Sequence, residues 1–418
     1  MAELAAVKLP EKRRAKKAQK ASTAYASPNL SIIDWPLLTI LWAIVSCGII
    51  LVASSSVSIA DSLFSDSLHF AKRHTIYIVL GMIGACFVAA MPSQLWRRYG
   101  PLFLLLALVL LTLVLVPGLG KRVNGSQRWF NLGFITVQAS EVVKFCVIVF
   151  FASYLSRRQV DLLNGWRGFA ISIASIVLIA VLLILEPDFG STVVITVTAM
   201  SMLFLAGVRL HQFLLLVVLG AGSLAALAMA TPYRLQRLVS YLDPWADQYG
   251  GGYQLTQSLI AFGRGEWFGM GLGNSIQKLF YLPEAHTDFI FAIMAEEFGL
   301  FGVVLMLGLF VAFIARILGI SRRAMAADDK FAALACFGVA AMFSTQVLIN
   351  VGVASGFLPT KGLTLPFVSW GGSSLIANFA LIGFILRLDW ELRRDALVKP
   401  KVKRMPRKKS NATEELAA

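Results

Sequence analysis

The sequence predicts an all-α polytopic membrane protein of about ten transmembrane helices, with a large extracytoplasmic loop between helices 7 and 8. Three observations predict it. Of 418 residues, 57% are apolar and only 15% charged, against about 45–50% and about 25% in a soluble domain. The mean hydropathy is +0.73. The apolar residues gather into ten runs, near 36–57, 75–91, 101–117, 138–154, 168–185, 189–206, 212–230, 289–316, 332–351 and 367–388, most of them close to the ~20 residues that cross a bilayer. A single-span anchor and a large soluble domain are both excluded.

The first run follows a basic tail with no short, cleavable apolar region, so it is read as a retained span. Runs five and six meet at Glu186-Pro187-Asp188, and six and seven at Val208-Arg209-Leu210-His211. Both junctions carry charge and read as tight turns. The N-terminal tail holds seven Lys/Arg against two Glu, and the chain from Arg387 onward ten Lys/Arg against five acids, each a net of +5 within a total of +15. Lys/Arg-rich ends stay in the cytoplasm, which puts both tails inside and fits an even number of spans. Arg97, Arg98, Arg157, Arg158, Arg167, Arg209, Arg322, Arg323 and Lys330 fall in loops on the same side. The expected organisation is a basic cytoplasmic tail over 1–33, a transmembrane domain over 34–390 and a second basic tail over 391–418. Such juxtamembrane charge is an orientation signal or a contact with anionic lipid, not a nucleic-acid site.

The outward segments are then 58–74, 118–137, 186–188, 231–288 and 352–366. The fourth is the longest and mixes charge, Gly, Trp and Tyr, which argues for an ordered functional cap. Cys47, Cys86, Cys146 and Cys336 lie in apolar runs without CxxC spacing, and His69, His74, His211 and His286 are scattered. Neither a disulfide framework nor a metal cluster is expected.

The outward loops also carry Lys121, Arg122, Arg128, Arg234, Arg237, Arg264, Lys278 and Lys361, where topology favours neutrality. A bound phosphate would stabilise them; pairing with Asp243, Asp247, Glu266 and Glu284 is the alternative. In Tyr281-Leu282-Pro283-Glu284-Ala285-His286-Thr287-Asp288-Phe289, Asp288 stands at the mouth of the eighth span. It is either a helix cap or a general base. Glu296 and Glu297 lie about 13 Å further along at ~1.5 Å per residue. Intramembrane acids need partners, and Lys144 and Arg316 are the candidates. Glu141 and Lys144 are spaced to pair on one helical face. Ser369-Trp370-Gly371-Gly372-Ser373-Ser374 opens the last span with small residues that allow close backbone approach. Asn124-Gly125-Ser126 reads as a turn in preference to a glycosylation acceptor.

These segments together resemble the SEDS family (shape, elongation, division and sporulation) over residues 34 to 390. The matching pieces are Asn124-Gly125 with Arg128-Trp129, Gln138 to Lys144, Glu186-Pro187-Asp188-Phe189-Gly190-Ser191, Pro283 to Phe289, and Ser369 to Ser374. Leu185 to Asp188 and Leu358-Pro359-Thr360-Lys361-Gly362-Leu363 are more similar to the family's division branch than to its elongation branch. Ala139 replaces a usual proline and Trp370 a usual tyrosine.

The resemblance implies a peptidoglycan glycosyltransferase that polymerises lipid II into glycan strands at the division septum, in the bacterial inner membrane, by inverting transfer. Asp288 is its catalytic base. The family's membrane-entry Glu and Lys map onto Glu141 and Lys144; Lys121, Arg128, Arg264, Lys278, His286, Lys361, Ser369 and Ser373 are the further expected substrate contacts, with the outward cations, Arg128, Lys121 and Arg264 first, stabilising the pyrophosphate leaving group. A divalent cation, Mg or Mn, is allowed; no organic cofactor and no dedicated metal cage is expected. Implied partners are a class B penicillin-binding protein (FtsI) as transpeptidase and the divisome proteins FtsQ, FtsL, FtsB and FtsN. A lipid II flippase and a non-catalytic scaffold that recruits the transpeptidase are the alternatives.

Overall fold

In a computed structural model of the chain, the described residues are 33–123, 126–131, 133, 136–158, 166–229, 240–360 and 362–398. Asp34–Leu392 forms one compact unit. The tail expectations at 1–32 and 399–418, the Asn124-Gly125 turn, Arg234, Arg237 and Lys361 lie outside the described residues.

Helix covers the main part of every apolar run. The helices are α1 (Trp35–Phe64), α2 (His69–Ala90), the short α3 (Ser93–Arg98), α4 (Gly100–Leu115), α5 (Ala139–Arg157), α6 (Trp166–Leu185), α7 (Phe189–Leu205), α8 (Leu210–Met229), α9 (Tyr253–Gly265), α10 (Ile290–Ala326), α11 (Lys330–Ala354) and α12 (Gly372–Val398). By length and composition α1, α2, α5, α6, α10 and α11 can each cross a membrane, while α4, α7 and the first part of α8 are shorter apolar helices. α5 and α11 form the centre: 78% and 67% of their most apolar stretches are buried, against 22% for α2. Ile76, Ile83 and Phe87 of α2 and Val218 of α8 leave apolar side chains exposed, as a lipid-facing surface requires.

Three helices start on an acid whose side chain accepts a backbone N–H three residues on: Asp34 from Leu37 (3.2 Å), Asp188 from Ser191 (3.2 Å) and Asp329 from Ala332 (3.0 Å). Such caps satisfy amides that have no intrahelical acceptor. Asp34 also receives Arg316 at 2.9 Å and Arg323 at 3.3 Å, and Arg323 reaches Asp389 at 2.8 Å. Arg316 is therefore not the partner of Glu296 or Glu297. It lies near the far end of α10, a distance fixed by helix rise.

The segment between α4 and α5 is a three-stranded antiparallel sheet, β1 (Gly120–Val123), β2 (Ser126–Asn131) and β3 (Thr136–Gln138), in that order. Lys121 pairs with Trp129 and Trp129 with Gln138, with a bulge between Lys121 and Arg122. β3 leads straight into α5, which fixes the entry of that helix. Strands this short carry too little alternation to stand out in the sequence.

α10 is broken at Gly299, whose φ of +63° suits glycine. The break frees backbone groups, and the chain after α9 satisfies them. Met270 N–H donates to the Glu296 carbonyl (2.9 Å) and Gly271 N–H to that of Glu297 (3.0 Å). In return the Leu300 and Phe301 amides donate to the Glu266 and Trp267 carbonyls. The described part of the long loop is thus stitched into the interior of α10.

Candidate functional site

Four segments converge near the start of α10: the 283–289 turn, the 186–188 turn between α6 and α7, the 362–374 stretch before α12, and the buried face of α11.

Pro283 precedes a turn in which the Thr287 and Phe289 amides both donate to the Glu284 carbonyl at 3.2 Å. The Thr287 hydroxyl donates to the Glu284 carboxylate at 2.7 Å. The N-cap of α10 is Phe289, with no side-chain cap bond. Neither Asp288 nor Thr287 caps the helix, and the cap alternative for Asp288 falls. Among the described residues no donor is bonded to its half-buried carboxylate. Burial first, and the Glu284 charge second, push that carboxyl up to about 7, while the charge of Arg128 opposes them. Its backbone carbonyl accepts the Asn350 amide at 2.9 Å. Gly362 faces it closely enough that a Cβ there would lie 2.7 Å from Asp288 Oδ2.

His286 is buried, its ring centroid 4.7 Å from Phe70 and 5.7 Å from Trp370, and its carbonyl accepts the Trp370 N–H at 3.0 Å. Burial lowers its pKa, with Glu284 opposing, and Nδ1 has no partner. The aromatic ring at position 370 thus packs the same turn that presents Asp288. Ser369 uses its hydroxyl to accept the Leu365 N–H at 2.8 Å, and Ser373 is buried at the start of α12.

Arg128 projects from β2 onto the 186–188 turn. Its Nε donates to the Glu186 carbonyl at 3.0 Å, and Nη2 donates to Ser126 Oγ at 3.2 Å and to the Pro187 carbonyl. Asp188 lies 4.0 Å from Nη1. Asp188 also accepts Gln138 Nε2 at 3.0 Å and Ser140 Oγ at 2.8 Å, which joins the entry of α5 to the turn. Glu186 is fully buried, and among the described residues neither carboxylate oxygen has a hydrogen-bond partner. Burial, then the Asp188 charge, push its carboxyl up to about 8 against the pull of Arg128.

Glu141 and Lys144 pair at 2.8 Å inside the bundle, off the hydrogen-bond axis. Lys144 donates to Gln346 Oε1 at 3.2 Å, and Gln346 Nε2 donates to the Thr364 carbonyl at 2.9 Å. Lys144 therefore serves α11, not Glu296 or Glu297 as the sequence suggested. Those two acids take other partners. Glu296 meets Arg264 at 3.4 Å and accepts Ser275 Oγ and the Ile276 N–H; Glu297 meets Lys278 at 2.8 Å and Ser54 Oγ at 2.6 Å. Two expected substrate contacts, Arg264 and Lys278, are thereby drawn to the α10 break and do not join the Asp288 group. The physical reason is that two buried carboxylates beside freed backbone demand compensating charge.

Lys121 is exposed on β1, and among the described residues no acid lies within ion-pair distance of it. Among the described residues no three His, Cys, Asp or Glu side chains gather as a metal-holding group. A cavity of about 400 Å³ lies elsewhere, between Met91, Trp96 and Leu106, and is almost wholly apolar.

Gln346 and Asn350 were not singled out from the sequence. The available signal was two amides four residues apart in a largely apolar helix, which in a membrane face the protein interior.

The chain matches the family model described as cell cycle protein (FtsW, RodA, SpoVE) over residues 35–394. A relative from Saccharophagus degradans, named "Probable peptidoglycan glycosyltransferase FtsW", is 51% identical over 90% of this chain and 97% of its own length. One of the same name from Coxiella burnetii is 52% identical over 89% and 99%. Among solved structures, a chain from a peptidoglycan synthase complex that coordinates polymerization and crosslinking superposes with a TM-score of 0.70 at 27% identity, covering 86% of this chain and 98% of that one. The rod shape determining protein RodA of Thermus thermophilus gives 0.63 at 28% identity, covering 88% and 99%. A match of this extent, on a helical fold rich in membrane-crossing segments, makes the chain a multi-pass membrane protein of the FtsW/RodA/SpoVE family.

Proposed function

We propose that the protein is a peptidoglycan glycosyltransferase that polymerises lipid II, with Asp288 as the general base. One observation carries the reading: a carboxylate at the mouth of α10 whose backbone is held by Asn350, with Gly362 packed against its Oδ2 and, among the described residues, no bonded donor; burial pushes this carboxyl up to about 7. A base of that strength takes a proton efficiently at physiological pH. The 4-hydroxyl of one disaccharide attacks the anomeric carbon of another, and its proton passes to Asp288. The new glycosidic C–O bond forms as the C–O bond to the lipid pyrophosphate breaks, with inversion.

The leaving diphosphate needs positive charge. Arg128 supplies field while its donors hold the 186–188 turn, and the exposed Lys121, with Lys361 beyond the described residues, completes the expected set. Arg264 and Lys278 support the loop that borders the site. The basic tails support a reading with both termini on the cytoplasmic side of the inner membrane, and the likeness to a synthase complex that coordinates polymerization and crosslinking supports a transpeptidase partner of the FtsI type. FtsQ, FtsL, FtsB and FtsN, and action at the septum, follow from the division branch of the family.

A flippase needs charges that line an open path. Lys144 and Glu297, the charges best placed for one, are buried and paired, so that reading ranks second. Two assays on protein reconstituted in vesicles separate them. Polymer from purified lipid II without translocation supports the synthase; movement of lipid II across the vesicle without polymer refutes it.

A further inference from the structure

We propose that Asn350, with Gln346 one turn before it on α11, is a positioning residue that clamps the Asp288 turn to the 362–364 segment. The proposal rests on the reading of Asp288 as base and concerns how that base is held.

Asn350 and Gln346 are 2% and 0% exposed, in a helix that otherwise buries apolar side chains. Side-chain amides in such a setting are costly unless used, and these are used on two different segments. The Asn350 amide donates to the Asp288 carbonyl at 2.9 Å and to the Leu363 carbonyl at 2.6 Å. Both partners are acceptors, so the orientation of this amide is fixed by its surroundings. Gln346 donates to the Thr364 carbonyl at 2.9 Å and accepts Lys144 at 3.2 Å, which fixes its orientation as well.

The two amides therefore stitch three loop carbonyls, at 288, 363 and 364, onto one face of one helix. The chain between those carbonyls and the base is short: Gly362 lies against Asp288 Oδ2, with no room for a Cβ. The clamp thus sets how far the base stands from the 362–364 segment, and misplacement by ~1 Å costs on the order of 100-fold in rate. The buried Glu141 and Lys144 pair acts through Gln346 in this arrangement, so Lys144 is an anchor of the clamp.

The test uses full-length protein in vesicles with purified lipid II, comparing wild type, Asp288→Asn, Asn350→Leu and Asn350→Ala, each checked for folding by thermal unfolding. Asn350→Leu keeps the branched heavy-atom shape, at a larger volume, and removes both donors. Expected are a fall in kcat of about tenfold or more, KM within about twofold of wild type, and an acid limb of the pH profile moved below its wild-type midpoint, because a loosened turn hydrates Asp288. Glu284, His286 and Arg128 are the charged or titratable neighbours that face it and are unchanged in that variant. Wild-type kcat, or a lower kcat with an unmoved limb, overturns the proposal, since a merely structural amide would not move the limb. If Asn350→Leu does not fold, Asn350→Ala, which removes both donors without added bulk, decides on the same readouts. A wild type that makes no polymer, or an active Asp288→Asn, removes the base reading and the clamp with it; an inactive Asp288→Asn beside an unaffected Asn350→Leu overturns the clamp alone.

Discussion

Replacing Lys278 by Met separates two roles for one cation. Its Nζ lies 2.8 Å from Glu297 Oε1 and 3.0 Å from Ser54 Oγ, with side-chain exposures of 7% for the lysine and 0% for the glutamate. Removing the lysine leaves a buried carboxylate with Ser54 as its remaining side-chain donor among the described residues, next to the break at Gly299. Breaking a buried pair from one side costs about 3–5 kcal/mol, whereas removing both charges together is nearly neutral. Lys278→Met is thus expected to lose about 3–5 kcal/mol, and Lys278→Met with Glu297→Leu to recover most of it. Denaturant unfolding of the detergent-solubilised protein reads both, as a double-mutant cycle. A single-mutant loss below about 1 kcal/mol, or a double mutant no better than the single, refutes the reasoning. If Lys278 instead contacts pyrophosphate, the single mutant raises KM and leaves stability unchanged.

Two further predictions concern titration. If Asp288 is the base, polymerisation requires it ionised, so with its carboxyl pushed up to about 7 the rate is expected to fall about tenfold per pH unit below that value, measured as kcat/KM from pH 5.5 to 8.5; a rate flat down to pH 5.5 contradicts it. The Glu186 carboxyl, raised to about 8 in the fold, stays protonated while the unfolded chain has ionised. Its contribution to stability is therefore fullest below about 4.5 and is lost as pH rises through about 8. Glu186→Gln is expected to flatten that decline, seen as a melting temperature that drops less than that of wild type between pH 5 and 8.5.

The helices were legible because composition and run length decide them: each apolar stretch became helix, and the turns at 186–188 and 206–209 fell where charge interrupts the runs. The motif residues were legible too, since Asp288, Arg128, Glu141 and Lys144 stand out as charge in an apolar chain. Pairing was not. Glu296 and Glu297 sit on a helix whose break depends on the φ of Gly299, and their partners Arg264 and Lys278 come from a loop that reaches them only because the break frees carbonyls for Met270 and Gly271. Helical spacing says nothing about such long-range closure. The sheet over 120–138 escaped notice because its strands are three to six residues long. Asn350 and Gln346 carry no charge, and their use depends on which loop carbonyls the fold brings to α11.

The most direct measurement is the rate of glycan polymerisation from purified lipid II by wild type and Asp288→Asn, at pH 7.5, with folding and partner binding checked in both. The variant keeps the shape and cannot accept the proton, so polymer is expected to fall by about 100-fold or more while the protein unfolds no earlier than wild type. Polymer from Asp288→Asn at the wild-type rate would contradict the assignment of Asp288 as the base.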